Sequence, residues 1–243
     1  MTFPLVPFID LLNGIICAFA SVRLYQAYQR DASNRVLYFF AQGYLAVVVA
    51  YLFFSIPRIF LWDSSMAIAI GFIGAQACLY LSVAYFSKVS MFFISVQRMQ
   101  LVFYLILIVS SVAMVLTVLY RGNPSFDPVT SITTWDIHPI VSIASLIILG
   151  GVLFCSIIFF FMQGIRTQHR LVKTRSFIIS GGLTLLLVTA YTYYEALTPL
   201  GVLVSDLFSL MSYLVIFFGI IYGRERPKPW ATPTQPSTSY DQL

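Results

Sequence analysis

Long apolar stretches separated by short polar segments recur along the whole chain, and they constrain its fold more than any other feature. A helix of about 20 apolar residues crosses a hydrocarbon core of roughly 30 Å. The composition agrees, because 59% of the residues are hydrophobic and only 9% are charged, against about 25% charged in soluble domains. The pattern predicts an all-α, polytopic bundle of seven transmembrane helices in the cell membrane.

The apolar stretches set the predicted helix bounds, and one bundle accounts for a single domain over residues 1–223. The stretch 89–100 either extends the third helix or lies in the membrane interface. Residues 224–243 are rich in proline and small polar residues, which predicts a disordered tail. The predicted helices cover about 8–27, 36–57, 65–87, 101–120, 139–164, 176–196 and 200–222.

The basic residues predict the orientation of the bundle. Lys and Arg in short loops concentrate on the cytoplasmic side of membrane proteins. Twelve of the 14 Lys and Arg residues fall on one side of the predicted helices, and only Arg58 and Arg121 fall on the other. We therefore expect the N-terminus outside and the C-terminus, with the tail, in the cytoplasm. Most acidic residues fall on the outer side, as either a cation-attracting mouth or an ordinary solvated surface.

The sequence contains no catalytic or metal-binding signature that we recognise. Cys17, Cys78 and Cys155 lie inside apolar stretches without CxxC spacing. His138 and His169 fall at helix ends and cannot form a paired haem site across the bundle. P-loop, GxSxG and HExxH motifs are absent. We expect a protein that is not an enzyme and has no cofactor or metal. Its basic residues lie beside apolar stretches, which argues against nucleic acid as a partner.

The last predicted helix, residues 200–222, contains Asp206, the acid that lies deepest in an apolar stretch. At about 1.5 Å per residue, Asp206 lies roughly 9 Å from the start of the helix. An ionised carboxylate that faces lipid there costs roughly 3 kcal/mol. Asp206, Ser209 and Tyr213 follow i, i+3, i+7 spacing and share one helix face. That face is either a site for a ligand, ion or proton, or a hydrogen-bonded contact between helices.

The sixth predicted helix supplies a second set of candidate residues. Tyr191, Tyr194 and Glu195 share a face by i, i+3, i+4 spacing. A short connection to the last helix places Glu195 near Asp206 in depth and position. The set predicts a tyrosine-lined acidic pocket for a small amine or cation. The alternative is an aromatic belt, because Tyr and Trp collect at membrane boundaries.

Arg58 and His138 are predicted at the same level of the bundle, as cationic partners for these acids. The segment 121–138 is the longest connection between predicted helices, and long ordered loops often carry function. We expect it to form a lid to which Trp135, Asp136 and His138 contribute.

A basic, aromatic segment, SNRVLYFFAQGY, opens the second helix, and a basic linker, QHRLVKTRSF, joins the fifth helix to the sixth. The seventh helix carries an early Asp in SDLFSLMSY and ends in GRER. Across most of the chain, these features resemble the seven-helix N-terminal sensor regions of bacterial membrane histidine kinases. The resemblance implies a sensory bundle. Members of that family continue into a cytoplasmic signalling domain, whereas only residues 224–243 follow here, so we expect output through a separate protein.

The sequence as a whole predicts a receptor-like or sensory protein that binds a small cationic or lipid ligand in the outer half of the bundle. We expect a cytoplasmic or membrane partner to dock on the basic segments 166–175 and 224–228. The alternatives are a small transporter or proton/cation pathway centred on Asp206 and Glu195, and a structural subunit of a membrane complex. The apolar inner segments IIFFFM and LVIFFGII favour the receptor or the subunit over the transporter.

Overall fold

The structure, a computed structural model, describes residues 5–92, 96–127, 129–130, 132–195 and 198–223, and the chain is 85% helical. Three contiguous segments, Pro139–Ser145, a π-helical turn over Leu146–Gly150, and Gly151–Arg166, form one helix, α5. The seven helices within the described residues are α1 (Leu5–Arg30), α2 (Arg35–Phe60), α3 (Ser65–Phe92), α4 (Val96–Leu119), α5 (Pro139–Arg166), α6 (Arg170–Glu195) and α7 (Pro199–Ile221).

Two helices begin with the same local chemistry. Pro139 opens α5 and Pro199 opens α7, where the missing proline N–H has no helical partner to lose. The side chains of the preceding residues cap the free backbone. His138 Nδ1 accepts a hydrogen bond from the Ile140 N–H at 3.3 Å, and Thr198 Oγ1 accepts one from the Gly201 N–H at 3.1 Å. The sequence therefore fixes where both helices start.

The helices form a closed ring with one helix outside it. Helix α1 packs on α2 and α7, α2 packs on α3, and α6 packs on both α5 and α7. Helix α3 also contacts α5, which closes the ring of six, and α4 lies on the outside against α3 and α5. The ring leaves its centre lined by side chains from α1, α2, α3, α5, α6 and α7.

The outer surface of the bundle is apolar. Helix α4 shows this most clearly, since Leu101, Ile108 and Leu119 are all more than 60% exposed. An exposed apolar surface of this extent is typical of a surface that meets lipid. Seven helices in the described part of the chain are long and apolar enough to cross a membrane. These findings fit the predicted all-α, multi-pass membrane bundle.

A short β-hairpin, which the sequence did not predict, occupies the α4–α5 connection. Strand β1 (Ser125–Asp127) pairs antiparallel with β2 (Ile132–Thr134), with Phe126 opposite Thr133. We call the end of the bundle that carries this hairpin, the α2–α3 turn and the start of α7 the hairpin end. The opposite end, with the loops 31–34 and 167–169, is the basic end.

The helices are longer than predicted at several ends. Helix α1 begins at Leu5, and α6 begins at Arg170, so the basic linker is largely helical. The stretch 89–100 is helical up to Phe92 and again from Val96, and residues 93–95 lie outside the described residues. The predicted tail, 224–243, also lies outside them.

Helix α2 continues through Pro57 to Phe60, although the sequence predicted its end there. A proline inside a helix removes one backbone hydrogen bond, and membrane helices tolerate this where neighbours compensate. Gly71 of α3 packs closely against the Phe53 carbonyl and the Pro57 ring, so the two helices approach at this point. The extension places Arg58 inside the helix.

Candidate functional site

A buried ion pair lies at the hairpin end between α1 and α2. Arg58 Nη2 contacts Asp10 Oδ2, and the two side chains are only 1% and 2% exposed. Arg58 Nε also donates a hydrogen bond to the Phe54 carbonyl, one helical turn earlier, at 2.7 Å. Burying two charges is costly unless they are paired and their remaining hydrogen-bonding groups are satisfied. The pair therefore joins α1 to α2, and the loss of either partner would leave the other charge buried and unpaired.

The hairpin and the residues after it cover this ion pair. Arg58 Nη1 donates to Thr133 Oγ1 of β2 at 3.4 Å. The Trp135 ring centre lies 5.5 Å from Arg58 Cζ and packs edge-on against the Phe54 ring. A guanidinium over an aromatic face is attracted by the ring quadrupole. The predicted lid thus rests on Arg58 through one hydrogen bond and one cation–π contact.

A cavity of about 980 Å³, which we call the vestibule, lies beneath the hairpin. Apolar residues such as Phe72, Leu146, Leu149 and Leu187 form most of its wall. Its polar groups are few, and cavities of this size with mostly apolar walls are typical of small-molecule sites. The polar groups that line it are Arg58, Gln76, Thr133, Thr134, Asp136, Ser142 and Ser145.

A smaller cavity of about 120 Å³, which we call the chamber, lies at the centre of the six-helix ring. Two buried carboxyl groups, those of Asp10 and Asp206, line it. Hydroxyl groups from four helices line it as well, on Tyr51, Ser82, Thr189, Ser205, Ser209 and Tyr213. Two carboxyl groups and six hydroxyl groups thus face one small space inside an apolar bundle.

The ion pair stands where the two cavities meet. Leu149, Leu153 and Ala190 line both cavities, so the vestibule and the chamber adjoin. Arg58 lines the vestibule, whereas its partner Asp10 lines the chamber. A ligand in the vestibule therefore contacts one member of the pair while the other faces the chamber.

Asp206 on α7 is 2% exposed, and its Oδ2 atom has no hydrogen-bond partner among the described residues. Asn13 on α1, one turn beyond Asp10, donates from Nδ2 to the Asp206 backbone carbonyl at 3.3 Å. Asp206 also interacts electrostatically with both Asp10 and Arg58. One turn further along α7, Ser209 Oγ lies 2.9 Å from the Tyr51 hydroxyl of α2.

Toward the basic end, aromatic side chains close the chamber. Tyr44 donates a hydrogen bond to the Tyr213 carbonyl at 2.8 Å. The Tyr44 ring also packs edge-on against Phe86 and Tyr213, with ring centres 5.9 and 6.0 Å away. We call Tyr44, Phe86 and Tyr213 the aromatic floor. Below it the core is apolar and includes Leu24, Phe217 and Ile220.

The structure brings some predicted site residues together and separates others. Asp206, Ser209 and Tyr213 line the chamber on one face of α7, as their spacing predicted. Arg58 lies at the same end, but its contact is with Asp10. The side chains of Tyr191, Tyr194 and Glu195 lie outside the described residues, so their predicted role stays a prediction.

His138 does not line the chamber with Asp10 and Asp206, and its predicted pairing with Glu195 stays a prediction, because that side chain lies outside the described residues. His138 is exposed, caps α5, and stacks on Tyr120 with ring centres 4.5 Å apart. The expectation that it would be a cationic partner of Asp206 is replaced by the pairing of Arg58 with Asp10. The physical reason is local, because the imidazole satisfies a free N–H at the start of α5 instead.

Sequence reasoning did not select Asp10, Asn13 or Tyr51 as site residues. The predicted first helix begins at about residue 8, whereas α1 begins at Leu5 and carries Asp10 deeper into the bundle, where its side chain is buried. A usable signal was the i, i+3 spacing of Asp10 and Asn13, which puts two polar side chains on one face of an otherwise apolar helix.

In the part of the chain that the structure describes, no three His, Cys, Asp or Glu side chains lie close enough to hold a metal ion together. No protein-family model, curated protein or solved structure matches the chain. The residues themselves therefore carry the functional argument.

Proposed function

We propose that this protein is a receptor-like or sensory multi-pass membrane protein that binds a small amphipathic ligand or lipid in the vestibule. The vestibule itself carries the proposal. Its volume, its apolar walls and its few polar groups match the chemistry of a ligand with an apolar body and a polar head. The head group would lie near Arg58, Thr133 and Asp136, and the body against Phe72 and Leu149.

A lateral opening supports a ligand that comes from the bilayer. Ile143 and Leu146 of α5 line the vestibule and are also 58% and 61% exposed. Val188 of α6 lines the cavity and is exposed as well. Side chains that face both a cavity and the lipid-facing surface form the edge of an opening between two helices. An apolar chain can enter there without crossing the polar hairpin.

The aromatic floor favours a receptor over a transporter. A transport pathway needs polar groups or water along its whole length. Here the chamber ends at Tyr44, Phe86 and Tyr213, and an apolar cluster fills the bundle beyond them. Buried serines at that end, such as Ser21 and Ser180, donate to backbone carbonyls of neighbouring helices. A ligand in the vestibule is thus separated from the basic end by packed side chains.

The proposed orientation puts the hairpin end outside the cell membrane and the basic end in the cytoplasm. It rests on the charge distribution, because Lys and Arg concentrate in cytoplasmic loops. Signalling would pass to a separate protein on the basic segments 166–175 and 224–228, of which 224–228 lie outside the described residues. Arg175 Nε already donates to the Tyr222 carbonyl at 2.6 Å, which ties the start of α6 to the end of α7.

Tryptophan quenching by brominated phospholipid in nanodiscs tests the vestibule proposal. Trp135 lines the vestibule, and W62F/W230F leaves it as the single tryptophan. We expect strong quenching of Trp135, and its relief by a long-chain fatty acid or alkylamine that competes for the vestibule. Relief by the amine alone assigns a cationic head group, and relief by the fatty acid assigns an anionic one.

Two controls make the test specific. The W135F/W230F protein keeps only the exposed Trp62 and reports contact with bulk lipid. Ala190→Phe fills space where the vestibule meets the chamber, so it should weaken the quenching of Trp135 and leave that of Trp62 unchanged. Quenching of Trp135 that no competitor relieves and Ala190→Phe does not alter would contradict ligand binding in the vestibule.

A further inference from the structure

Two buried acceptor oxygens beside the chamber lack hydrogen-bond partners among the described residues. They are Oδ2 of Asp206 and Oδ1 of Asn13, whose side chains are 2% and 0% exposed. The Asn13 amide is oriented by its own hydrogen bond, in which Nδ2 donates to the Asp206 carbonyl. Its oxygen is therefore an acceptor, as is an ionised carboxylate. Leaving such groups unmatched in a bundle interior is unfavourable, and more so for a charged group.

Two acidic side chains and one basic side chain meet at the chamber. Asp10 and Asp206 line it, and Arg58 is the one cationic side chain in contact with either of them among the described residues. With both carboxylates ionised, two of them against one guanidinium leave one net negative charge, which a bound cation would balance in place of a proton. Buried charges are paired or bind an ion, because an isolated one is expensive in a low-dielectric interior. A single positive charge neutralises the group, whereas a divalent ion would exceed it.

The donor atoms indicate what kind of cation fits. The Asp206 carboxylate and the hydroxyls of Ser205, Ser209 and Tyr51 line the chamber. The Asn13 amide oxygen lies behind this wall, at the contact of α1 with the Asp206 backbone, so every unpartnered acceptor at this place is oxygen. Oxygen-only sites select hard cations, and the thiolate and imidazole ligands that suit transition metals are not among these groups. The chamber of about 120 Å³ also has room for bound water, since one water needs only about 10–15 Å³ by this measure.

We propose that the chamber binds one monovalent hard cation, of the sodium type, through the Asp206 carboxylate and the Asn13 amide oxygen. The cation balances the charge that the Asp10–Arg58 pair leaves over and joins α1 to α7. The site is separate from the vestibule, because it lies on the chamber side of the ion pair. It therefore stands whether or not the vestibule binds a ligand.

Thermal unfolding of the full chain in nanodiscs, in NaCl against choline chloride at constant ionic strength, tests the site. Choline controls for ionic strength, because its quaternary ammonium cannot be coordinated by oxygen atoms as a hard metal cation is. A cation that binds only the folded state at ten times its Kd should raise Tm by roughly 3 to 6 °C. We expect this rise in wild type and in the control Asp63→Asn, whose side chain is exposed in the α2–α3 turn. Asp206→Asn should melt at one temperature in both salts.

A second variant and a direct measurement guard against loss of folding in Asp206→Asn. Asn13→Leu keeps the approximate shape of the side chain and removes its oxygen, and we expect it to weaken Na⁺ at least tenfold. Equilibrium binding of radiolabelled Na⁺ should show one ion per chain in wild type and none in Asp206→Asn. Equal melting of wild type in NaCl and choline chloride, or a sodium response that survives both substitutions, would overturn the proposal.

Discussion

At the hairpin end, helices α1, α2 and α7 bring Asp10, Arg58 and Asp206 into the interior beside two cavities. At the basic end the same helices bury Leu24, Phe40 and Ile216 in a continuous apolar core. One set of helices thus builds a polar, open region and an apolar, packed region. The difference lies in the side chains that the two halves of each helix present to the centre of the ring.

The two regions carry different physical roles. A close-packed core resists changes of volume and holds helices at fixed distances. A buried charged group costs stability and persists where something else depends on it. We therefore expect the basic end to be the more rigid of the two, and the proposed function places ligand binding at the hairpin end. The aromatic floor is the boundary between them.

The largest expected effect is at the ion pair. Arg58→Met leaves the Asp10 carboxylate buried without its partner, and breaking a buried pair costs about 3–5 kcal/mol. The double variant Asp10→Leu/Arg58→Met replaces both charges by apolar groups and should recover most of that loss. Thermal unfolding in nanodiscs measures both. Arg121→Met is the matched control, because Arg121 lies at the same end and is exposed.

If Arg58→Met were as stable as Arg121→Met, the buried ion pair would not contribute to stability, and it would no longer distinguish the hairpin end from the basic end. A double variant less stable than Arg58→Met would show that Asp10 stabilises the protein through contacts other than the one with Arg58.

At the basic end, the expected effect is smaller and comes from volume alone. Gly43 of α2 faces the Phe86 ring so closely that an added Cβ would collide with it. Gly43→Leu should therefore cost about 1–3 kcal/mol by overpacking. The control is Gly181→Ala on α6, where nothing lies within 4 Å of an added Cβ. There, removing a helical glycine should raise stability by roughly 0.5–1 kcal/mol.

Thermal unfolding without added ligand or sodium measures the stabilities of the two glycine variants. Equal stabilities for Gly43→Leu and Gly181→Ala would show that the contact of α2 with α3 yields easily. The basic end would then be no more rigid than the hairpin end.

The lid should contribute a still smaller amount. Trp135→Leu removes the ring that lies over Arg58, and a cation–π contact stabilises by about 0.5–2 kcal/mol, depending on desolvation. Trp62→Leu is the control, since Trp62 is exposed and surface changes stay within about 0.5 kcal/mol. If Trp135→Leu and Trp62→Leu melt together, the hairpin only covers the ion pair and does not stabilise it.

Hydropathy alone predicted the membrane class and the helices, because each helix must satisfy its own backbone in an apolar stretch long enough to cross. The shared face of Asp206, Ser209 and Tyr213 also followed from spacing alone. The partner of Arg58 did not. The predicted bounds 8–27 and 36–57 place Asp10 in the first turn of one helix and Arg58 just beyond the end of the next, whereas α1 begins at Leu5 and α2 continues to Phe60.

Which residues meet across the ring could not be predicted either. Contacts such as Asn13 with Asp206 join residues nearly a whole chain apart, and nothing in local spacing specifies them. The hairpin was missed for another reason. Its strands are three residues each, too short to show an alternating pattern in the sequence, although Phe126 at the centre of β1 is buried.

That turn gives the smallest expected effect and the last test of the hairpin end. The Thr130 hydroxyl and the Val129 N–H both donate to the Asp127 carboxylate and hold its pKa below its ordinary value. Ionised Asp127 therefore stabilises the turn above the ordinary Asp pKa of about 3.9, and this contribution is lost as pH falls through the lowered value. A titration of the carboxyl carbon shift by NMR should show the lowered pKa, and Thr130→Val should return it most of the way. An unchanged pKa in Thr130→Val would mean that the hydroxyl does not hold the carboxylate, and that backbone pairing alone keeps the lid above Arg58.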